Sequence, residues 1–250
     1  MDPFKFTTIA HHGRELLGPV SSETYDELLA QVTLEPPVHD RARVLDVGCG
    51  KGEMLVRAMT RFGCEGVGVE PNPTFFAESR MRSRTRVPMR DLTLHALPFE
   101  RAPVPHGRFD LGICAGALHA FGGYAPALSR LVQLVRSRGW ALVGAGYWKR
   151  EPEDEYLAAF GGTREEMVSL AATLQAPLEH RWRVVTHHLS TAKEWDDYEF
   201  DYAAAMRRWL SARPNDADAA AFSERIERWT AAYERWGRDT MGYALILLRH

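Results

Sequence analysis

Cysteine is scarce in this chain: Cys49, Cys64 and Cys114 are the only three in 250 residues, an odd number at wide spacing. Such usage excludes a disulfide scaffold, and without a CxxC pair it excludes the usual zinc-ligand spacing. The three are expected as reduced, mostly buried side chains. No charge surplus stands out either, since 31 Lys and Arg face 33 Asp and Glu. A dedicated nucleic-acid binder carries a basic excess to neutralise phosphates, so nucleic acid is not the expected partner. No apolar run approaches the roughly 20 residues of a membrane span. The opening MDPFKFTTIAHHGRELLG lacks the basic and apolar segments of a secretory signal, and a cytoplasmic protein without membrane contact is expected. The histidine pairs His11-His12 and His187-His188 cannot easily share one ion and have no carboxylate at a ligand spacing, so no metal site is expected.

What is present is a regular alternation. A chain of 250 residues fits one core, which remains workable to roughly 250 to 300 residues. Residues 21–34, SSETYDELLAQVTL, open with Ser and Glu at capping positions and continue with apolar residues at helical spacing. ARVLDV then stops at the glycines of GCGKG and gives way to the helical pattern MLVRAMTRFG. The segments EGVGVEPN, VPMRD, FDLGICAG and WALVGAGYW read as further strands, and PTFFAESRMRSR and APALSRLVQLVRSRG as helices between them. Such alternation predicts an α/β fold, a Rossmann-like and mostly parallel seven-stranded sheet with helices on both faces. Helical patterning around Thr163 to Leu174, a strand at RWRVVTHHL and a final strand at MGYALILLRH complete it. We expect one domain over 1–250: N-terminal cap or lid helices over 1–40, a core over 41–190, a helical cover over 191–238 and a last strand over 239–250. The basic run Arg80, Arg82, Arg84, Arg86 at a helix end reads as a solvated face.

The most informative motif is Val44-Leu45-Asp46-Val47-Gly48-Cys49-Gly50-Lys51-Gly52, set between a strand and a helix. Glycines there let the backbone turn sharply and approach a ligand, while the helix beyond offers free amides and a positive dipole end. Asp46, at the carboxyl end of the strand, can order the turn and face an ammonium group. Glu70 ends the second strand about twenty residues on, where a carboxylate accepts hydrogen bonds from both hydroxyls of a ribose. Asp91, read as following a third strand, is placed for an adenine amino group. Ligands of open α/β sheets bind beyond the carboxyl strand ends, so these residues point to S-adenosylmethionine as cofactor and S-adenosylhomocysteine as product. A dinucleotide fingerprint, GxGxxG, would require glycine where this chain has Glu53.

These segments, with RDLTLHALPFERAPVPHGRFDLGICAGALHAF, resemble the successive motifs of class I S-adenosylmethionine-dependent methyltransferases. GYWKREPEDEYLAAFGG, EWDDYEF, MRRWLSARPND and MGYALILLR extend the likeness over nearly the whole chain, to a family of uncharacterised bacterial small-molecule methyltransferases. The resemblance implies a cofactor lining of Asp46, Gly48, Gly50, Glu70, Asp91 and Leu92, with Cys114 beside the methionine end.

Methyl transfer is an in-line displacement that asks the protein for alignment and exclusion of water, and for a base only where the acceptor must lose a proton. His119, just past the fourth strand, is the candidate base. Tyr147 and Trp148 end the fifth strand and can wall an acceptor pocket, their π faces favouring a cationic centre; core packing is the competing reading. Trp195, Tyr198, Glu199 and Tyr202 share one helical face in the cover, and Trp195 and Tyr198 are candidate acceptor contacts. His12 matches the N-terminal pattern of that family and is the candidate lid residue. The expected function is methyl transfer to a small-molecule acceptor; the alternative is a non-catalytic S-adenosylmethionine-binding sensor or partner subunit.

Overall fold

The computed structural model describes residues 2–36 and 40–250; Met1 and residues 37–39 of the expected cap lie outside them. Two helices, α1 (Lys5–Ala10) and α2 (Ser22–Ala30), precede the first strand. There follow β1 (Arg43–Val47), α3 (Glu53–Phe62), β2 (Glu65–Val69), α4 (Pro73–Arg84), β3 (Leu92–His95), β4 (Phe109–Ala115), α5 (Tyr124–Leu134) and β5 (Val135–Trp148). The remainder is α6 (Asp154–Phe160), α7 (Leu170–Glu179), β6 (Arg183–Leu189), α8 (Ala192–Ala212), α9 (Ala219–Ala232) and β7 (Met241–Arg249). The strands form one seven-stranded sheet in the order β3-β2-β1-β4-β5-β7-β6. The pairs from β3 through β5 are parallel and β6 runs antiparallel to β7, giving the Rossmann-like, mostly parallel sheet expected.

Local chemistry sets many of the boundaries. Ser21 accepts the Thr24 amide and starts α2. Asn72 accepts the amides of Thr74 and Phe75, and Pro73 occupies the first turn of α4, where a missing N–H costs nothing. Thr191 and Glu194 form a reciprocal capping box at the head of α8, worth about 1 kcal/mol in comparable helices.

Three boundaries differ from the sequence reading. The third strand is Leu92–His95 and not VPMRD, because Met89–Asp91 winds into a single 3-10 turn after Pro88. It is LTLH that pairs with Gly66–Val69 of β2. The helix expected to run to Gly139 stops at Leu134, and the chain enters β5 at Val135. Arg138 then takes φ 64°, and the register against β4 shifts between Phe109 and Leu111. The helix expected from Thr163 begins only at Leu170: Arg164–Glu166 makes a single 3-10 turn, and the Val168 carbonyl then accepts the Trp148 amide, which holds Met167–Ser169 extended beside that strand.

By contacts the chain divides into two compact units, Ser21–Ala145, Ala171–Leu189 and Ala244–His250 in one, and Met1–Val20, Gly146–Leu170 and Ser190–Tyr243 in the other. The expected cap over 1–40 is therefore divided, with α2 in the first unit and α1 in the second. Within the first, Leu45, Val47, Val69, Phe99, Phe109 and Leu134 form a buried cluster. Glu53, also buried, binds Arg57, Arg82 and Arg86 at 2.6, 2.9 and 2.6 Å. Two members of the basic run thus neutralise an interior carboxylate instead of forming a solvated face. Within the second unit, Phe6 and Ala10 of α1 pack with Ala203 and Met206 of α8 and with Phe222 and Ile226 of α9. Lys5 adds ion pairs to Asp216 and Asp218 at 2.6 and 2.7 Å. Among the described residues no helix is long and apolar enough to cross a membrane.

Candidate functional site

The turn from β1 into α3 is built on left-handed backbone. Gly48, Gly50 and Gly52 have φ of 69°, 53° and 78°, values at which a Cβ is strained. Space reinforces the requirement at Gly48, where an added Cβ would stand 2.1 Å from the Ala117 Cβ. The amides of Gly48 and Cys49 both donate to the Val69 carbonyl, at 2.8 and 3.1 Å, and so tie the turn to the end of β2.

Glu70 follows Val69 and is buried. Its Oε2 accepts the Gly50 amide at 2.9 Å and its Oε1 the Asn72 amide at 2.7 Å, so one carboxylate joins the glycine turn to the head of α4. A carboxylate has about four acceptor positions, and two are left. Burial holds the Glu70 carboxyl above its ordinary pKa. Asp46, the penultimate residue of β1, is buried more deeply; burial, with the Glu70 charge behind it, pushes its pKa up to about 8. Its carboxyl accepts the Leu55 amide, which satisfies one of the free donors in the first turn of α3. On the neighbouring strand Cys114 is fully buried, and burial raises its thiol to about 12.

The structure therefore brings Asp46, Gly48, Gly50 and Glu70 together, with Cys114 one residue beyond the Ile113 that pairs with Asp46. These residues fit the cofactor: Glu70 keeps acceptor positions beside a turn whose left-handed glycines bring the backbone close. Asp91 and Leu92 do not join them. Leu92 pairs with Gly66, near the start of β2, whereas His95 pairs with Val69 beside Glu70. Asp91 consequently lies just before the amino end of β3, about 13 Å from the carboxyl end at 3.3 Å per residue, and is held by Arg41. Its carboxylate closes an ion pair there, which pulls its pKa down. Sequence reading passed over Asn72 and Ala117. Asn72 carried a signal, an Asn directly before a helix-opening Pro; Ala117 carried none.

His119 sits in a short turn after β4, Leu118–Phe121, and is exposed. In the second unit the Tyr147 ring lies against Gly242, where an added Cβ would be 2.2 Å from Tyr147 Cζ. Trp148 is committed to packing: its Nε1 donates to the Arg164 carbonyl at 2.9 Å, and its ring meets Tyr156 and Phe160 edge-on. Trp195 is buried against Tyr233 and Tyr198. His12 is exposed, and the adjacent His11 is the buried member of the pair. Nε2 of His11 meets the Tyr198 hydroxyl at 3.0 Å and Nδ1 meets the Thr7 carbonyl at 2.8 Å.

Residues 44–139 match a family model described as a methyltransferase domain. Over 99% of both chains, the protein is 28% identical to the uncharacterised protein YjhP of Escherichia coli K12. A methyltransferase of Geobacter sulfurreducens, crystallised with S-adenosyl-L-homocysteine, superposes with a TM-score of 0.87 at 26% identity, covering 98% of this chain and 97% of that one. A methyltransferase of Thiobacillus denitrificans, in complex with the same compound, gives 0.87 at 26% identity over 99% of each chain. Residues 44–139 thus carry a methyltransferase domain, and in fold and over its full length the chain is similar to S-adenosylmethionine-dependent methyltransferases.

Proposed function

We propose that this methyltransferase acts on a small-molecule acceptor and holds its cofactor through Asp46, Gly48, Gly50, Glu70 and Cys114. The observation that carries the reading is the Glu70 carboxylate, fixed by the Gly50 and Asn72 amides with acceptor positions left for two ribose hydroxyls. When bound, the cofactor supplies a methyl group on a sulfonium centre. The residues of the chain then have tasks of placement. Gly48 and Gly50 let backbone amides approach a carboxylate at the head of α3, and Asp46 opposes an ammonium group. His119, exposed after β4, takes a proton where the acceptor must lose one. Tyr147, Trp195 and Tyr198, with the His11-His12 pair, are the proposed acceptor contacts, and Trp148 supports them by packing. Cytoplasmic action in a bacterium belongs to the same proposal, supported by an E. coli relative of matching length and three free cysteines.

The test is incubation of the protein with methyl-labelled cofactor and a broad extract of small metabolites, followed by analysis for a labelled product. Label in a small molecule, together with S-adenosylhomocysteine, is the expected result. Tight cofactor binding without transfer would establish the sensor instead, and label only in RNA or protein would overturn the acceptor class.

A further inference from the structure

Glu199 lies one turn beyond Trp195 on α8, within the second unit, and is 7% exposed. Its Oε2 accepts the Trp229 indole N–H at 2.6 Å. Its Oε1 is enclosed and has no hydrogen-bond partner among the described residues. Burial raises the Glu199 carboxyl to about 7. The side chain borders a cavity of about 10 Å³, walled by Tyr156, Phe160, Trp229, Tyr233 and Met241, which is room for one water-sized group. Phe160 stands 5.8 Å from both Tyr156 and Trp229, each pair at 35°. Tyr233 stacks on Trp195, whose indole N–H is likewise buried without a partner.

A buried carboxylate with an unpartnered oxygen, bordering a void among aromatic rings, selects its guest by charge and size. An anion is repelled, and an apolar group leaves Oε1 stripped of water without compensation. A cation is attracted both by the carboxylate and by the ring faces, and it favours the ionised form that burial alone disfavours. The small volume favours a single –NH3+ head over a quaternary ammonium.

We propose that this cavity receives the ammonium group of a small amine, held by Glu199 Oε1 and the faces of Tyr156, Phe160, Trp229 and Tyr233, so that the acceptor is an amine. The inference deepens the proposed function and rests on it. Glu199 is a binding residue here, and the methylated atom is left to the acceptor screen.

The experiment titrates the full chain with methylammonium chloride, against sodium and tetramethylammonium chloride at equal ionic strength, with saturation-transfer NMR on the ligand methyl signal. Methylammonium is expected to saturate the protein, with neither other cation displacing it. Glu199→Gln, close in shape but uncharged, is expected to weaken that binding on the order of tenfold or more, with the far-UV dichroism and the S-adenosylhomocysteine affinity of the parent. Phe160→Leu removes one ring face and keeps an apolar wall; it is expected to weaken binding severalfold and supplies the answer should Glu199→Gln misfold. Absence of methylammonium binding, or equal binding in both variants, overturns the proposal. Failure here beside methyl transfer to acceptors without an amine overturns the amine and leaves the methyltransferase reading intact. Glu199-dependent binding with no transfer to any metabolite leaves a cation site and overturns its role in acceptor choice.

Discussion

Replacing Glu70 by Ala tests the proposed cofactor site most directly, because the side chain that ties the turn to α4 is also the proposed acceptor of the ribose hydroxyls. The carboxylate offers about four acceptor positions, of which the Gly50 and Asn72 amides fill two. The two ribose hydroxyls are assigned the others. Hydrogen bonds to a charged group contribute about 1.5 to 3 kcal/mol each where measured by mutation, and water replaces part of that in a site that opens on truncation. The expected loss on Glu70→Ala is therefore about 1 to 3 kcal/mol of cofactor affinity, roughly 5- to 150-fold. Folding stability should change less. The two amides lose their acceptor, but the cost of burying a carboxylate, visible in its raised pKa, disappears with it; a net change of about 1 kcal/mol or less follows. Calorimetric titration with S-adenosylhomocysteine reads the first quantity and denaturant unfolding the second. An affinity within about twofold of the parent, a difference of less than roughly 0.5 kcal/mol, would remove Glu70 from the site.

Asp46 predicts a pH dependence. With its pKa near 8 the carboxyl of the free protein is mostly neutral below that pH, while an ammonium group binds the ionised form. Affinity for S-adenosylhomocysteine should accordingly fall by up to about tenfold for each pH unit below 8, and a flat calorimetric profile from about pH 6 to 8 would contradict the assignment. Gly48→Ala places a Cβ on Ala117 at positive φ; the backbone and overpacking costs together predict a loss of about 2 to 5 kcal/mol in stability, and an unchanged denaturation midpoint would refute that geometry. Asp91→Ala breaks a partly exposed ion pair with Arg41. It should cost at most about 1 kcal/mol of stability and leave S-adenosylhomocysteine affinity unchanged, whereas a tenfold loss would return Asp91 to the cofactor.

The sequence by itself determined the parts of this protein that are local. The bend at Gly48–Gly52 follows from where an apolar strand meets glycine and then a helical period. Glu70 follows because it directly succeeds a strand of five residues, and the capping of α4 and α8 is written in Asn72-Pro73 and Thr191 to Glu194. The alternation of such units implies the parallel sheet, because parallel neighbours require crossovers. The tertiary structure decided what depends on partners distant in the chain. VPMRD and LTLH both look extended, and only pairing with β2 selects the second; a shift of a few residues moves Asp91 to the far end of β3. His11 and His12 are adjacent and chemically identical, and packing against Tyr198 chooses between them. Arg82 and Arg86 look solvated until α3 brings Glu53 beneath them. Glu199 on α8 reads as one residue of an aromatic stripe, and it becomes a buried carboxylate with a free oxygen only when Trp229, thirty residues on, occupies the other. Burial and electrostatic partnership are set by neighbours in space, and sequence spacing records neighbours only within a strand, a turn or a single helix face.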